Sequence, residues 1–452
     1  MCSSDLVFKK CITLALFKGG DKDPLDQNNF RGITIQSVIC KIYESVLVNR
    51  SSAVIKEKVK IVDTQSACSK GLSSIHASLL LQETIAHNID TGNNAYVTYF
   101  DTRKAFDTVW IEGLLYLLFI KGIRGKMWRM IRLSYLEYFT AVCINGQLSD
   151  WFKLLQGVKQ GAVLSMLLYI CFINGLLTEI LEMVVGAKVL DIQTSAIGYG
   201  DDLAIVTTDR ASMQQLIDIA YSYSCKWRFD FSPSKCAVMI FGRSIPQCAF
   251  HLGPTNLNIV TQYTHVGVTL VSKGKIAVTE IKKRLQACRR TFFTLVGSNL
   301  YKTSLSPIAL SKMYWSVCVP KFLSGGEVKC FTSQEYEEFG KFHKSMARDI
   351  QNLPGNTPDP MVLASLGWKD VVSQVDYVKL MLVQRILNLG STCKYRVLFL
   401  RRLLLILLTG IINPISPIAH IVNIVLKYNF LEHVVVNVEE GIIPTKSEWK
   451  RV

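Results

Sequence analysis

Two kinds of hydrophobic run alternate along the first 270 residues of the chain. Short apolar and β-branched runs predict buried strands, and longer apolar stretches with helical spacing predict helices. Residues 95–100 form a run of the first kind that ends at Asp101, and residues 161–184 form the longest stretch of the second kind. Asn145-Gly146, between apolar residues 139–144 and 151–155, is the dipeptide most typical of a tight β-hairpin turn.

The remaining pattern extends this alternation and then changes. Further strands are predicted at 195–197, 203–207, 237–241 and 263–270, and helices near 112–120, 126–138 and 212–227. Beyond residue 270 the pattern is mainly helical, and residues 277–295 form a helix with one strongly basic face. The chain is therefore expected to be an α+β protein with a mainly helical carboxy-terminal part.

The amino-acid composition indicates a folded chain and limits the kinds of binding partner to be expected. Hydrophobic residues make up 49% of the 452 residues and charged residues 19%, which excludes wholesale disorder. Lysine and arginine total 51 against 35 acidic residues, a formal net charge of +16. A surplus of this size favours a polyanionic partner, with nucleic acid first and an anionic membrane second.

The cysteines and the apolar stretches indicate the cellular compartment of the protein. Thirteen cysteines are scattered with no C-x-x-C pair and no zinc spacing, which predicts reduced thiols and no zinc site. No signal peptide is recognisable, and the most hydrophobic stretch, residues 403–412, is far short of the roughly 20 residues that span a bilayer. We therefore expect an intracellular protein, in the nucleus or cytoplasm, with no membrane partner.

Two groups of carboxylates could carry chemistry. Asp101 ends a buried strand, and Asp201-Asp202 follow Tyr199-Gly200 in a tight turn between two apolar strands. Adjacent buried carboxylates repel each other and lose hydration, and divalent cations relieve that cost. Carboxylates on neighbouring strands can hold two Mg²⁺ ions roughly 3.5–4 Å apart for in-line phosphoryl transfer. Either motif alone would more often be a helix cap or a solvated turn; their occurrence together, in this order, favours the metal site.

At this point the chain resembles the reverse transcriptases of non-long-terminal-repeat retrotransposons, of the jockey-like kind. The resemblance covers residues from about 10 to 300 and follows the family order of motifs. The matching segments are residues 28–34, 41–44, 65–74, 99–110, 157–165, 199–202, 231–235 and 263–268.

The resemblance implies a right-hand polymerase fold. Residues 1–94 would form the fingers, 95–245 the palm with the catalytic aspartates, 246–345 the primer-grip hairpin and basic thumb helix, and 346–452 a helical extension. It also implies an RNA-directed DNA polymerase that extends a DNA primer on an RNA template with deoxynucleoside triphosphates. The implied cofactor is Mg²⁺, with Mn²⁺ as a possible substitute.

Individual residues take roles from the same resemblance. Asp101 and Asp201 would be the principal metal ligands, and Asp202 would support them. Phe106 would be the steric gate that excludes a ribose 2′-hydroxyl, and the less favoured alternative is a plain core aromatic. Gln160 and Gly161 would border the incoming nucleotide.

Several basic residues would contact phosphate. Arg31 and Lys235 would lie near the triphosphate, with Lys235 a possible general acid for pyrophosphate; an ordinary surface role is about as plausible for each. On the predicted thumb helix, four cations would contact duplex phosphates without reading sequence. The alternative is a solvated amphipathic helix face. The four are Lys282, Lys283, Arg289 and Arg290.

The sequence departs from the family at four places. Ser69 stands where the family usually has a triphosphate-binding arginine, and Met166 where it commonly has proline. Gly175 replaces an aspartate, and Gly200 replaces an alanine. No endonuclease domain precedes the fingers and no RNase H signature follows, so we expect a fragment of a longer reading frame or a decayed copy.

Two other functions remain open at this stage. A catalytically inactive nucleic-acid-binding relic would keep the fold and the basic groove, and Ser69 favours it, while the intact aspartates argue against it. An RNA-dependent RNA polymerase also carries a Gly-Asp-Asp turn. Phe106 argues against that enzyme, because an aromatic ring would fill the space that a ribonucleotide needs.

Overall fold

The computed structural model describes residues 10–19, 22–136, 138–242, 248–273, 278–297, 305–439, 441 and 445–450. The predicted boundary at 245/246 and residue 277, the first residue of the predicted basic helix, lie outside these ranges. Within them the chain alternates helices and strands up to residue 271 and is helical thereafter. The prediction of an α+β protein with a helical carboxy-terminal part is confirmed.

The first sheet is assembled from two separate parts of the chain. Strand β1 (Lys10–Phe17) pairs antiparallel with β2 (Phe30–Ile35) and parallel with β4 (Phe139–Ile144). The short strands β5 (Gln147–Leu148) and β6 (Phe152–Lys153) both pair with β4. This fingers sheet therefore includes a hairpin that we had predicted to belong to the palm.

The hairpin turn itself agrees with the sequence. Asn145 and Gly146 have φ values of 51° and 82°, the left-handed conformation that a two-residue turn of this type requires. Helix α1 (Val38–Val59) follows the fingers sheet, and α2 (Ser74–Asp90) leads into the palm.

The palm is a six-stranded sheet in the order β12-β13-β11-β3-β10-β9. Its strands are β3 (Ala95–Asp101), β9 (Ala196–Tyr199), β10 (Asp202–Thr207), β11 (Ala237–Phe241), β12 (Phe250–Leu252) and β13 (Thr255–Ile259). Between the palm strands lie a two-stranded hairpin and four helices. These are β7 (Lys188–Val189), β8 (Ile192–Gln193), α3 (Ile111–Ile120), α4 (Gly125–Tyr135), α5 (Ser165–Glu182) and α6 (Arg210–Trp227).

Alternate side chains of the central palm strands enter two different cores. On β3, Tyr96 and Phe100 join the core formed with α5 and α6, whereas Val97 and Tyr99 join a core formed with α2 and the carboxy-terminal helices. Strands β10 and β11 alternate in the same way. Because both faces are covered, these strands are apolar throughout rather than alternating with polar residues.

Helix α5 is buried in the first of these cores. It is long and apolar enough to cross a membrane, and 67% of its 18 residues are buried inside the protein. In the described part of the chain, the bent pair Pro417–Lys427 and Leu431–Glu439 would pass the same test only if counted as one span, although its two helices meet at 108°. Both features pack in the protein core, as the interior helices of a globular protein do.

The thumb has a core of its own. A hairpin of β14 (Gln262–His265) and β15 (Val268–Val271) precedes α7 (Val278–Val296), the predicted basic helix. Helix α7 packs with the helices that follow it, through residues from Ile281 to Val375. Those helices are α8 (Pro307–Met313), α9 (Val319–Phe322), α10 (Ser333–Gln351), α11 (Asp359–Ala364) and the start of α12 (Val371–Leu387). The predicted boundary at 345/346 falls inside α10, so it does not separate two packing units.

The last helices return to the palm. They are α13 (Lys394–Thr409), α14 (Pro417–Lys427), α15 (Leu431–Glu439) and α16 (Lys446–Trp449). Apolar residues of these helices and of α2 share one core with the palm sheet. The carboxy-terminal region is therefore part of the palm's structure, and the boundary predicted at 94/95 likewise separates α2 from the sheet on which it packs.

A buried polar network joins α13 to α2. The guanidinium of Arg402, only 2% exposed, donates to Glu83 at 3.1 Å and also to Asp90. Glu83 in turn accepts from the backbone N–H of Ile418 at 2.7 Å and from the hydroxyl of Ser416 at 2.7 Å. One carboxylate thus connects three helices across the back of the palm.

Candidate active site

The palm sheet brings two of the predicted carboxylates face to face. In the antiparallel pairing of β3 with β10, Asp101 lies directly opposite Asp202. Directly opposed residues of an antiparallel pair project to the same face of the sheet. Asp201 precedes Asp202 in the turn from β9, where Gly200 has a φ of +67° that glycine adopts without strain.

The pKa values of Asp201 and Asp202 both lie above their ordinary range. Burial, followed by the charges of Asp201 and Asp101, raises the pKa of Asp202 to about 6. Burial and the charge of Asp101 also raise the pKa of Asp201, although Arg31 and Lys235 partly offset the rise. Burial and neighbouring like charge therefore make the ionised forms of Asp201 and Asp202 costly, and a bound cation would relieve that cost.

Lys235 contacts this cluster directly. Its ammonium donates to the carboxylate of Asp101 at 2.9 Å, although the lysine side chain is largely exposed. The loop that carries it is held in place because the backbone N–H of Ser232 donates to the Asp101 carbonyl at 2.8 Å and the Tyr263 hydroxyl donates to the Lys235 carbonyl at 3.2 Å. The resemblance implied that Lys235 lies near a triphosphate; in the structure its ammonium pairs with Asp101.

The donor set fits Mg²⁺. Carboxylate oxygens are the ligands that Mg²⁺ prefers, and proteins usually supply one or two of them while water and substrate phosphates supply the rest. Within the described ranges no three His, Cys, Asp or Glu side chains converge on a single point in the way an all-protein metal cage requires. Asp101 and Asp201, with Asp202 beside them, therefore suit an ion that is completed by substrate.

Phe106 lies on the loop that follows β3. Its ring stacks on Tyr169 of α5, with ring centroids 5.1 Å apart and planes 21° apart. The Phe106 carbonyl accepts from the backbone N–H of Val158 at 2.7 Å, which joins this loop to the segment carrying Gln160. The ring is half-buried, so part of it stays accessible although it stacks on Tyr169.

Gln160 and Gly161 are held against the fingers sheet. The Gln160 carbonyl accepts from the backbone N–H of Thr34 on β2 at 2.7 Å. Gly161 has a φ of +105°, and a Cβ there would lie 3.2 Å from the Thr34 carbonyl oxygen. Arg31 lies on the same strand with its side chain exposed. The structure thus connects β2, the 157–161 loop and the aspartates.

One positioning residue was missed by sequence reasoning. The amide side chain of Gln65 accepts from the backbone N–H of Gly200 at 2.9 Å and donates to the Gly200 carbonyl at 3.3 Å. It therefore holds the turn immediately before Asp201. Gln65 opens a motif recognised in the sequence, but 135 residues separate it from the turn and no local pattern indicates the contact.

Two departures from the family pattern lie in contact with each other. A Cβ at Gly200 would sit 3.7 Å from the sulfur of Met166, so glycine in the turn faces methionine at the start of α5.

A third departure from the family pattern, Gly175, is explained by packing. A Cβ at Gly175 would lie 2.6 Å from the Tyr223 hydroxyl, which donates to the Phe172 carbonyl at 2.7 Å. An aspartate at position 175 would require the Tyr223 side chain to move.

Comparison with known proteins decides the family. The family model described as "Reverse transcriptase (RNA-dependent DNA polymerase)" matches residues 18–273, more than half of the chain. This chain belongs to the reverse transcriptase family. The matched segment contains strands β2 and β4 to β6 of the fingers sheet, the aspartates, the 157–161 loop and the β14–β15 hairpin, whereas β1 precedes it.

The relatives of this reverse transcriptase are retrotransposon proteins. It is 24% identical over 324 residues to "RNA-directed DNA polymerase from mobile element jockey" of Drosophila melanogaster, which covers 66% of this chain and 34% of that protein. It is 26% identical over 280 residues to the "Pol polyprotein from type-1 retrotransposable element R2" of Popillia japonica, covering 59% and 44%. The resemblance to non-long-terminal-repeat elements is confirmed, and the chain spans about a third of the jockey polymerase.

Solved structures give a more distant likeness. Apo telomerase from Candida tropicalis matches at 12% identity with a TM-score of 0.41, over 87% of this chain and 69% of that one. A carboxy-terminally truncated form of the same enzyme matches 59% of this chain at 14% identity and the same TM-score.

The four predicted phosphate-binding cations of the thumb helix differ in exposure and in pairing. Lys283 and Arg290 are exposed. Arg289, however, donates to Asp349 at 2.5 Å and to Ser345 at 3.1 Å, and Lys282 lies 3.9 Å from Glu338. The acidic partners belong to α10, so the sequence of α7 alone could not indicate them. Phosphate contact by these four residues stays a prediction.

His265 of the primer-grip hairpin gives a pH-dependent prediction. The ring is 3% exposed, packs 5.5 Å from Tyr99, and has neither nitrogen hydrogen-bonded within the described residues. Burial lowers the pKa of His265 to about 4. Between pH 6.5 and 4 the unfolded chain therefore binds more protons than the folded one, and stability falls as pH falls through this window. His265→Leu should raise the free energy of unfolding by about 1 kcal/mol at pH 7.5. It should also make the decrease in that free energy on acidification less steep.

His343 provides the matched control. Burial lowers the pKa of His343 to about 4 as well, yet its ring nitrogens lie 2.8 Å from the Tyr314 hydroxyl and 3.0 Å from the Lys369 carbonyl. His343→Leu should therefore destabilise by about 1–3 kcal/mol. Urea midpoints at pH 7.5 and 5 compare the two variants, and a destabilised His265→Leu protein at pH 7.5 would contradict the argument.

Proposed function

We propose that this reverse transcriptase extends a DNA primer on an RNA template with deoxynucleoside triphosphates, as part of a non-long-terminal-repeat retrotransposon. The observation that carries the proposal is the pairing of Asp101 with Asp202, with Asp201 adjacent, inside the segment that matches the family. The net charge of +16 supports a nucleic-acid substrate. One of the relatives, the jockey protein, is by name an RNA-directed DNA polymerase, and another is by name a protein of a retrotransposable element.

Different residues of the chain have different roles in the proposed reaction. Asp101 and Asp201 would hold Mg²⁺, which when bound supplies positive charge at the phosphates and makes the primer 3′-hydroxyl easier to deprotonate. Gln65 keeps the turn before Asp201 in place through both polar groups of Gly200. Such preorganised charge, fixed before the substrate arrives, is usually the largest contribution to catalysis of this kind.

Lys235 would change partners during the reaction. With no substrate its ammonium neutralises one carboxylate oxygen of Asp101. A bound cation would take over that role, and the released ammonium could hold the triphosphate and give a proton to the departing pyrophosphate. The loop around Lys235 is fixed by Tyr263 and Ser232, so only the side chain needs to move.

Primer extension tests the proposal. Purified chain would be given an RNA template annealed to a DNA primer, with Mg²⁺ or Mn²⁺, beside an Asp201→Asn control. Extension by the wild type that disappears in the variant supports both the polymerase and the metal site. No extension, with salt-sensitive duplex binding equal in both proteins, would show a nucleic-acid-binding relic, and Ser69→Arg would then be the next variant.

Phe106 distinguishes a DNA polymerase from an RNA polymerase. Phe106→Val should raise ribonucleotide incorporation relative to deoxynucleotide incorporation by about one hundred-fold, because a smaller side chain admits the 2′-hydroxyl. The ratio of kcat/KM for GTP and dGTP on the same template measures the effect. Phe119→Val, at an exposed aromatic on α3, is the control, and an unchanged ratio in Phe106→Val would rule out the steric gate.

A further inference from the structure

Glu44 is a buried carboxylate outside the aspartate cluster. It lies on α1 with 2% exposure, and its two oxygens contact different parts of the chain. Oε1 accepts from the Gln36 side chain at 2.9 Å and lies 3.8 Å from the ammonium of Lys159. Oε2 accepts from the backbone N–H of Leu164 at 3.2 Å. A buried carboxylate is costly unless it is well paired, so these contacts account for its presence.

The two loop contacts of Glu44 enclose the nucleotide-positioning segment. Lys159 immediately precedes Gln160 and Gly161, and Leu164 is the residue immediately before α5. No side chain of the loop caps α5, so the carboxylate of Glu44 performs that function from another helix. Negative charge is favourable at the amino end of a helix, where backbone N–H groups lack partners.

Lys159 is enclosed as tightly as its partner. It is 5% exposed, and its ammonium lies 4.3 Å from the ring centre of Tyr138 and 5.2 Å from that of Tyr135. Two aromatic faces and one carboxylate therefore surround the charge. The arrangement holds the backbone at residue 159 much as the Thr34 hydrogen bond holds it at residue 160.

We propose that Glu44 is a positioning residue for the incoming nucleotide. By binding Lys159 and the amino end of α5 at once, it fixes both ends of the 159–164 loop against the fingers, and so sets where Gln160 and Gly161 lie. The inference rests on the proposed polymerase function, in which these two residues border the nucleotide. It gives the fingers helix α1 a role in nucleotide affinity although α1 contributes no residue to the aspartate cluster.

Two readouts test this role. Glu44→Gln keeps the shape of the side chain but removes its charge, so hydrogen exchange of the Leu164 amide should speed up by about ten-fold. The KM for deoxynucleotide should rise by a similar factor, while the Kd for primer–template stays within about two-fold. Lys159→Met breaks the same ion pair from the loop side and should raise KM likewise. The double variant should be no worse than either single one, because both changes remove one interaction.

Glu83 supplies the control. It is a buried glutamate that accepts a backbone N–H and pairs with a cation, but it lies behind the palm. Glu83→Gln should lower thermal stability without changing the KM for deoxynucleotide. Equal KM increases in Glu44→Gln and Glu83→Gln would overturn the proposal, and so would an unchanged KM in a folded Lys159→Met protein.

Failure of the proposed function would be recognised separately. If the wild type extends no primer, the polymerase proposal fails, and exchange at Leu164 alone decides whether Glu44 fixes the loop. Unchanged exchange in Glu44→Gln would then overturn the inference, whereas faster exchange in Glu44→Gln but not in Glu83→Gln would support it.

Discussion

Arg402→Met should destabilise the protein by about 3–5 kcal/mol, although position 402 lies far from the aspartates in the chain. The substitution would leave Glu83 and the carboxylate of Asp90 buried without their guanidinium partner. Burial already raises the pKa of Glu83 in spite of the neighbouring cation. That direction means that the desolvation cost of Glu83 exceeds the stabilisation from its partners, and removing the cation leaves only the hydrogen bonds from Ile418 and Ser416 to offset that cost.

The adjacent arginine is the control for this prediction. Arg401 is about half exposed and pairs with the exposed Asp191 on the surface. Solvent and salt screen such a pair, so Arg401→Met should leave the urea midpoint nearly unchanged. Both variants lose an arginine from α13 and gain a methionine, which keeps helix propensity and net charge equal between them.

Urea unfolding with a palm-specific probe would measure the difference. Hydrogen exchange of β3 amides reports on the palm, because β3 shares a core with the carboxy-terminal helices. Faster β3 exchange in Arg402→Met is expected together with a lower midpoint. If the variant fails to fold, Glu83→Gln combined with Arg402→Met should recover part of the loss by removing one unpaired charge. Equal midpoints for the two arginine variants would contradict the argument.

The same core shows why the palm could be predicted from sequence and its boundaries could not. Strand β11 spans residues 237–241, as predicted, and β3 ends at Asp101 as the pattern indicated. Both strands are buried on two faces, which produces unbroken apolar runs that a local window detects. The contact of Arg402 with Glu83 spans 319 residues, and no local window contains both partners.

The residues of the candidate site also fall into two groups, those that a local sequence pattern indicates and those that only long-range contacts reveal. Asp101, Asp201 and Asp202 were identified because a strand end and a tight turn place them in recognisable local patterns. Gln65 and Glu44 act through backbone groups of distant segments, Gly200 and Leu164, whose own sequence does not indicate the contact. The ion pair of Arg289 with Asp349 of α10 is another long-range contact that the sequence of α7 does not indicate. Local chemistry was predictable from sequence, and long-range pairing was not.

Asp101→Asn should reduce kcat for primer extension by about a thousand-fold or more, since it removes a charge worth several kcal/mol in the transition state. The amide keeps the shape of the carboxylate and its place opposite Asp202, so folding should be retained. Relief of like-charge repulsion should also lower the pKa of Asp202 from its value of about 6. Loss of activity with an unchanged or higher unfolding midpoint would separate a catalytic role for the charge from a structural one.

Asp107→Asn tests whether the effect belongs to Asp101 or to any aspartate of this motif. Asp107 follows Phe106, and its side chain is exposed on the loop rather than paired across the sheet. It should therefore keep kcat within about three-fold of the wild type, a change of under 1 kcal/mol in the barrier. A comparable loss in both variants would show that the loop as a whole needs its acidic charge. A loss confined to Asp101→Asn would assign the metal-binding charge to the strand end, where the β3–β10 register puts it beside the Asp201-Asp202 turn.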